Sequence, residues 1–278
     1  MFKFLKLYRF DIFLITILLF LFGSFLANDF NIKGSNYLYN LLLGFLISAI
    51  SINFIYSLNS WFDADVDKIN KPERPIPAGL IKKSEAFIYS IFLGILALIY
   101  PFFLFFNNIK FLFLIFILVG VLYSNSIFSL KKNKYLSLIS IIFIVILVFY
   151  LGYIINNGNV YENQFFINVV LLFLLNLSVL PLKDLTDICG DKIYGLDNWF
   201  ISFSKNKILI FSIILLYFGL ILSIIFFNII FFIIYFSIIL FFIFSLIFGF
   251  NLDNFYKKIL FIFSFDGLFV LFLFYIVL

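Results

Sequence analysis

The sequence predicts an all-α, polytopic membrane protein, a bundle of nine transmembrane helices, and three observations predict it. The 278 residues are 65% hydrophobic with a mean hydropathy of +1.21, well above the roughly half-apolar composition of a soluble domain. The apolar residues come in runs of about 20, enough to cross a bilayer as a helix. They do not come in the alternating segments of about 10 that mark a membrane barrel. Finally, the basic residues gather in every second loop, as the positive-inside rule requires.

The spans follow in order. The first, about 10–27, comes after Lys3, Lys6 and Arg9 and has no small-residue cleavage site, so it reads as a span and not as a removable leader. The next five are at about 37–62, 86–106, 110–130, 136–155 and 165–183. The stretch 208–250 is too long for one helix, and Asn228 is the polar break near its middle, which gives spans at about 208–227 and 229–250. The last is about 259–277. With the N-terminus on the cytoplasmic side, seventeen of the 19 Lys and Arg fall in inside segments, and only Lys33 and Lys110 fall outside. The C-terminus is then outside. Merging 208–250 into one span would place Lys257 and Lys258 outside, against the rule. The protein reads as an integral protein of the cell membrane, residues 1–278 forming a single membrane-embedded domain in the lipid bilayer.

Composition also excludes chemistry. A single cysteine, Cys189, and no histidine rule out an internal disulfide, a Cys/His zinc site, histidine acid–base catalysis and a histidine-ligated haem. The net charge of +5 follows from topology and does not point to nucleic acid. The 47 phenylalanines read first as filling for lipid-facing positions.

Of the 14 acidic residues, seven lie in two short cytoplasmic clusters, Asp63–Asp67 and Asp184–Asp197. If span 2 continues as a helix, Asn59, Asp63 and Asp67 share one face at i, i+4 and i+8, and Asp65 points away to solvent. In the second cluster, Asp184, Asp187 and Asp191 would share a face at i, i+3 and i+7. Gly190 and Gly195 would end that helix, leaving Asp197 off the stripe. Two facing carboxylate stripes repel unless cations lie between them. Mg²⁺ suits such a site, since it takes oxygen ligands and is held by a few carboxylates plus substrate phosphates. Lys68, Arg74 and Lys183 would neutralise the remaining phosphate charge. Polar loops alone could explain one such acid, but not two stripes at helical spacing beside an Arg-Pro-Ile-Pro turn.

These residues resemble the UbiA superfamily of intramembrane prenyltransferases. The family's first motif, Asn-Asp-x-x-Asp-x-x-x-Asp, is matched by Asn59-Ser60-x-x-Asp63-x-x-x-Asp67 except at Ser60. The run Asp67-x-x-Asn70-x-Pro72-x-Arg74-Pro75-Ile76-Pro77-x-Gly79 is similar to several branches, as is the stretch from Tyr123 to Leu130-Lys131. The second motif is Asp187-x-x-x-Asp191. The resemblance implies a helical bundle around a central cavity open to lipid, and Mg²⁺-dependent transfer of a prenyl group from an isoprenoid diphosphate to a lipophilic acceptor. It implies that Asp63, Asp67, Asp187 and Asp191 are the catalytic carboxylates and, with Asn59, hold Mg²⁺ and diphosphate. Arg74, Lys131 and Lys183, with Lys68 and Asp184 beside them, would contact the diphosphate. Ser60 lies about 100° off the stripe, which leaves the metal ligands intact. The string from Lys183-Asp184 to Gly195 is most like the geranylgeranylglyceryl phosphate geranylgeranyltransferase branch, which makes ether lipids. An aromatic or tetrapyrrole acceptor, as in quinone or chlorophyll synthesis, is the alternative.

Phe54, Tyr56 and Tyr123 are aromatic candidates to face a carbocation, though packing is the simpler reading of each. Asn176 would bond a neighbouring helix or touch the acceptor, and Asp266 would line the cavity or reach the inner interface. Two other classes compete. A cation transporter would carry its ionisable residues near the midplane, whereas these acids sit at the cytoplasmic helix ends. An inactive paralogue, prompted by Ser60, would bind but not turn over.

Overall fold

The computed structural model describes residues 4, 7, 9–27, 35–104, 109–125, 130–156, 158–247 and 258–259. Its chain forms two compact units, Met1–Gly158 with Cys189–Leu196, and Asn159–Ile188 with Asp197–Leu278.

The first unit contains α1 (Phe10–Leu26), α2 (Ser35–Phe62), α3 (Ala64–Asn70), α4 (Lys83–Leu104), α5 (Ile109–Ser124), α6 (Lys134–Ile155) and, except for its first residue, the short α8 (Ile188–Ile193). Helix α2 is the hub and packs against α1, α4, α5 and α6. Its 28 residues are about 42 Å long at 1.5 Å per residue, against a hydrocarbon core of about 30 Å. The last turns of α2, which carry Asn59, can therefore stand at the water interface while the rest spans.

Apolar surface drives no helix pairing in lipid, so close approach must come from small residues. The pairing of α1 with α6 shows this. A Cβ on Gly23 would strike the Phe149 carbonyl, and one on Gly152 would strike the Phe20 carbonyl, so the two backbones cross in contact. Helix α4 does the same with a stripe. Ala86, Ser90, Gly94 and Ala97 are buried, Gly94 lies against the Phe54 ring of α2, and Ile88, Phe92 and Ile95 are exposed on the opposite side as a lipid face would be. Helix α6 starts at Asn133, whose side chain accepts from the Tyr135 and Leu136 N–H groups at 2.9 and 3.1 Å.

The second unit contains α7 (Asn163–Val179), a 3-10 segment (Leu180–Thr186), α9 (Trp199–Ser202), α10 (Lys205–Ile225) and α11 (Ile229–Ile247). Helix α10 packs between α7 and α11. The break at Asn228 is as the sequence predicts, and its cause is visible. Asn228 is buried, donates to Asn168 Oδ1 at 3.0 Å and accepts from the Phe231 N–H at 3.2 Å, capping α11. Tyr235 anchors α11 to α7 by donating to the Leu171 carbonyl at 2.7 Å.

Five described helices are long and apolar enough to cross a bilayer, and three more apolar helices, Ile12–Leu26, Ile109–Ser124 and Ile229–Ser245, are shorter. These eight overlap the first eight expected spans, the fourth ending at Ser124 and not near 130. Apart from Ile259, the expected ninth, 259–277, lies outside the described residues, as does Asp266.

Candidate active site

The first acidic motif is built as the spacing predicts. The Asp63 N–H bonds the Asn59 carbonyl and the Asp67 N–H bonds the Asp63 carbonyl, each at 2.8 Å. The helical repeat thus runs on from α2 through the turn at Asp63 into α3, and Asn59, Asp63 and Asp67 share a face. The Asn59 amide donates to Asp63 Oδ2 at 2.9 Å, and its carbonyl oxygen accepts from Ser124 Oγ at 3.2 Å.

Both carboxylates face cations. Lys131 pairs with Asp63, and Arg74 Nη1 donates to Asp67 Oδ2 at 2.6 Å. The side chains of the first pair are 15% and 18% exposed, and those of the second 19% and 6%. Pairs so far withdrawn from water are strongly disfavoured when one partner is removed, because the other charge is stranded. Burial pushes the Lys131 ammonium down to about 8, opposed by the charge of Asp191. Lys131 is therefore a poorly hydrated cation, one that gains from an anion.

Arg74 is delivered by a compact loop. The Ala78 N–H bonds the Arg74 carbonyl at 2.8 Å, and the Leu80 and Ile81 N–H groups bond the Pro75 carbonyl at 2.9 and 3.1 Å. Gly79 closes the loop at φ +72°, a conformation that strains residues with a Cβ. Asp65 points away, as expected. It is exposed and bonds Lys68 at 2.9 Å and Lys83 at 3.0 Å, and these bonds, that to Lys68 first, hold its carboxyl below the usual range. Lys68 thus lies with Asp65 on the exposed side.

Asn70, part of the motif run but with no role expected from the sequence, ties the first acidic motif to Asp191. Its Nδ2 donates to Asp191 Oδ1 at 3.3 Å, and its Oδ1 accepts from the Gly190 N–H at 2.7 Å. The last residue of α3 thereby holds the turn of α8 that bears Asp191. Gly190 does not end a helix, contrary to expectation. It lies inside α8, where a Cβ would come within 2.6 Å of Asn70 Oδ1. Gly195, at φ +65°, does follow the helix end. The available signal was spacing, since Asn70 is three residues past Asp67.

The continuous helical stripe expected for Asp184, Asp187 and Asp191 is not formed. The chain tightens to 3-10 over Leu180–Thr186 and restarts as α8 only at Ile188. The Asp187 N–H bonds the Asp184 carbonyl at 3.2 Å, three residues back. Pro181, near the start of this segment, has no N–H to continue the α7 ladder. Within the second unit Lys183 Nζ donates to the buried Asp184 carboxylate at 2.5 Å. Asp187 is half-buried and accepts from Thr186 Oγ1 at 3.1 Å. Asn198, fully buried, is a second residue missed. Its amide donates to the Asp184 carbonyl at 2.9 Å while its Oδ1 caps α9 at the Phe200 N–H, 2.8 Å away. Only its polarity next to Asp197 hinted at this.

Other candidates find plain partners. Asn176 donates to the Leu172 carbonyl of its own helix at 2.8 Å. Ser60 donates to the Tyr56 carbonyl at 2.9 Å, off the acidic face. Phe54 is buried, Tyr56 lies under Arg9 at 5.6 Å, and the Tyr123 hydroxyl is 3.4 Å from Ser137 Oγ. Among the described residues no three His, Cys, Asp or Glu side chains converge enough to hold a metal alone. The donor set still fits Mg²⁺: carboxylate and amide oxygens on one face, already opposed by cations, with coordination places left for water and phosphate.

Long apolar helices that carry acidic and basic side chains at their ends define an integral membrane protein. The chain belongs to the UbiA prenyltransferase family, whose model matches residues 13–274. A digeranylgeranylglyceryl phosphate synthase of Methanosphaera stadtmanae is 30% identical over 192 residues, covering 69% of this chain and 68% of that protein. A solved structure concerned with digeranylgeranylglyceryl phosphate synthase in membranes shares 25% identity, with a TM-score of 0.62 over 95% of this chain and 97% of the other. A UbiA homolog from Archaeoglobus fulgidus, solved with GPP and Mg²⁺, is similar in fold, with a TM-score of 0.69 at 22% identity over 96% and 99% of the two chains.

Proposed function

We propose that this chain transfers the geranylgeranyl group of geranylgeranyl diphosphate to a hydroxyl of geranylgeranylglyceryl phosphate, forming the second ether bond of an archaeal-type lipid. The observation that carries the reading is the pairing of Lys131 with Asp63 and Arg74 with Asp67, half-buried cations beside carboxylates, as the binding of a metal-bound diphosphate requires. The acceptor rests on the synthase relatives and on the string from Lys183 to Gly195. Residues 1–278 act as one membrane-embedded domain, with the N-terminus and both acidic loops cytoplasmic and the C-terminus outside, so that donor and acceptor tails stay in the bilayer.

Asp63, Asp67, Asp187 and Asp191, with Asn59, would hold Mg²⁺. When bound, it supplies Lewis-acid neutralisation of the diphosphate. Arg74, Lys131 and Lys183 bind the diphosphate oxygens and stabilise the charge that builds there as the allylic carbon–oxygen bond breaks and its electron pair leaves with the diphosphate. For Lys131 and Arg74 this means exchanging a carboxylate partner for a phosphate. The apolar helices exclude water from the allylic carbon. The acceptor hydroxyl oxygen then bonds that carbon, and its proton passes to water or to the departing diphosphate.

The test is diphosphate release by purified protein from geranylgeranyl diphosphate, with and without Mg²⁺, offered geranylgeranylglyceryl phosphate, 4-hydroxybenzoate, dihydroxynaphthoate or a chlorophyllide. Turnover with the glycerol phosphate alone supports the reading. Turnover only with a ring acceptor moves the protein to quinone or pigment synthesis.

A further inference from the structure

Leu7, ahead of α1, reaches the end of the loop that carries Arg74. Leu7 is 2% exposed and forms a small core with Ile81 and Ala86, against which Phe4, Ile76 and Tyr89 pack. Phe4 stacks on Tyr89 with ring centroids 4.8 Å apart and planes 11° apart. The Tyr89 hydroxyl accepts from the Asn53 amide of α2 at 3.1 Å, and Arg9 lies over the Tyr56 ring, also of α2. Leu7 thus shares a core with Ile81 at the exit of the loop, Ile76 beside Arg74 packs against that core, and Arg9 and, through Tyr89, Phe4 are tied to the helix that carries Asn59.

Besides this core, the loop is held by its own backbone hydrogen bonds and by the Arg74–Asp67 pair. Its amides close on Arg74, Pro75 and Ile76, and Gly79 at its tip has open space around it. The Arg74 guanidinium is nonetheless held 2.6 Å from Asp67 in a half-buried site. An arginine fork must be placed to fractions of an ångström to serve a carboxylate or a phosphate.

We infer that Phe4 and Leu7 form a strap that braces the Arg74 loop at its Ile81 end, and that both are positioning residues for diphosphate binding. Neither belongs to an acidic motif, and both act through Ile76, Ile81 and Tyr89. The inference rests on the proposed donor site for its kinetic consequence, but not for its structural one.

Hydrogen exchange of the Ala78, Gly79, Leu80 and Ile81 amides in the full chain reads the structural part. The combined variant Phe4→Ala, Leu7→Ala is expected to speed their exchange by about tenfold or more, as loss of a buried leucine contact implies, while the α2 amides of residues 45–55 keep their rates. The donor KM is expected to rise about fivefold or more with kcat within twofold. Leu7→Met, which refills the space, is expected to restore both. Unchanged loop exchange overturns the strap. So does faster exchange spread equally through α2 and α4, since that marks general loosening. If loop exchange rises but the intact protein shows no Mg²⁺-dependent turnover of geranylgeranyl diphosphate, the strap stands and the proposed function fails.

Discussion

Replacing Asn70 with alanine tests how the two acidic motifs are joined. Asn70 Oδ1 is the acceptor for the Gly190 N–H at 2.7 Å, and its Nδ2 donates to Asp191 at 3.3 Å. The first bond is short, and its loss strands a part-buried donor, which costs about 1–2 kcal/mol. The second is long and adds about 0.5 kcal/mol despite the charge on its acceptor. The sum is about 2 kcal/mol, which corresponds to roughly thirtyfold in an equilibrium constant. The loss falls on the placing of Asp191, so it is expected in the donor KM measured by Mg²⁺-dependent diphosphate release. Gly190→Ala should act through the same contact, because its Cβ would meet the Asn70 amide. In Asn70→Ala, Gly190→Ala the new methyl enters the space vacated by the amide, and the pair should be no worse than Asn70→Ala alone. An Asn70→Ala enzyme within twofold of the parent, or singles that add in full, would refute the clamp.

Three further outcomes follow from the packing and the ion pairs. Gly152→Ala forces a methyl onto the Phe20 carbonyl and should lower stability by about 3 kcal/mol. Gly120→Ala, which meets the buried, β-branched Ile55 side chain rather than backbone, should lose about 2 kcal/mol, and thermal unfolding in detergent compares the two. Asn228→Ala removes the bond to Asn168 and the cap of α11. It should lose about 2 kcal/mol in the same assay, with kcat/KM within twofold. Arg74→Lys keeps the charge but not the fork, and should raise the donor KM roughly tenfold.

Most of the fold and half of the site could be read from the chain, for physical reasons. Spans show themselves because each must bury its own backbone in lipid, and that leaves long apolar runs. The Asn228 break was legible because one asparagine interrupts such a run, and its cap and its bond to Asn168 explain the turn. The first acidic face was legible because α2 carries its helical repeat unbroken through Asp63. The second was misread at Pro181, where loss of an N–H lets the chain tighten to 3-10, so α-helical spacing no longer applied to Asp184 and Asp187. Asn70 and Asn198 escaped because their partners are a backbone N–H 120 residues away and a backbone carbonyl 14 residues away. The family match spans nearly the whole chain, yet it carries no information on such amide contacts.

The central claim is that two acidic motifs hold a diphosphate through Mg²⁺. It is tested most directly by calorimetric binding of an unreactive thiolo analogue of geranylgeranyl diphosphate to the intact protein, to Asp63→Asn and to Asp187→Asn. Binding is expected only with Mg²⁺ present, with at least about a hundredfold loss of affinity in each variant, in keeping with stranding a half-buried cation or losing a metal ligand. Equal binding without Mg²⁺, or an Asp187→Asn protein that binds as the parent does, would contradict it.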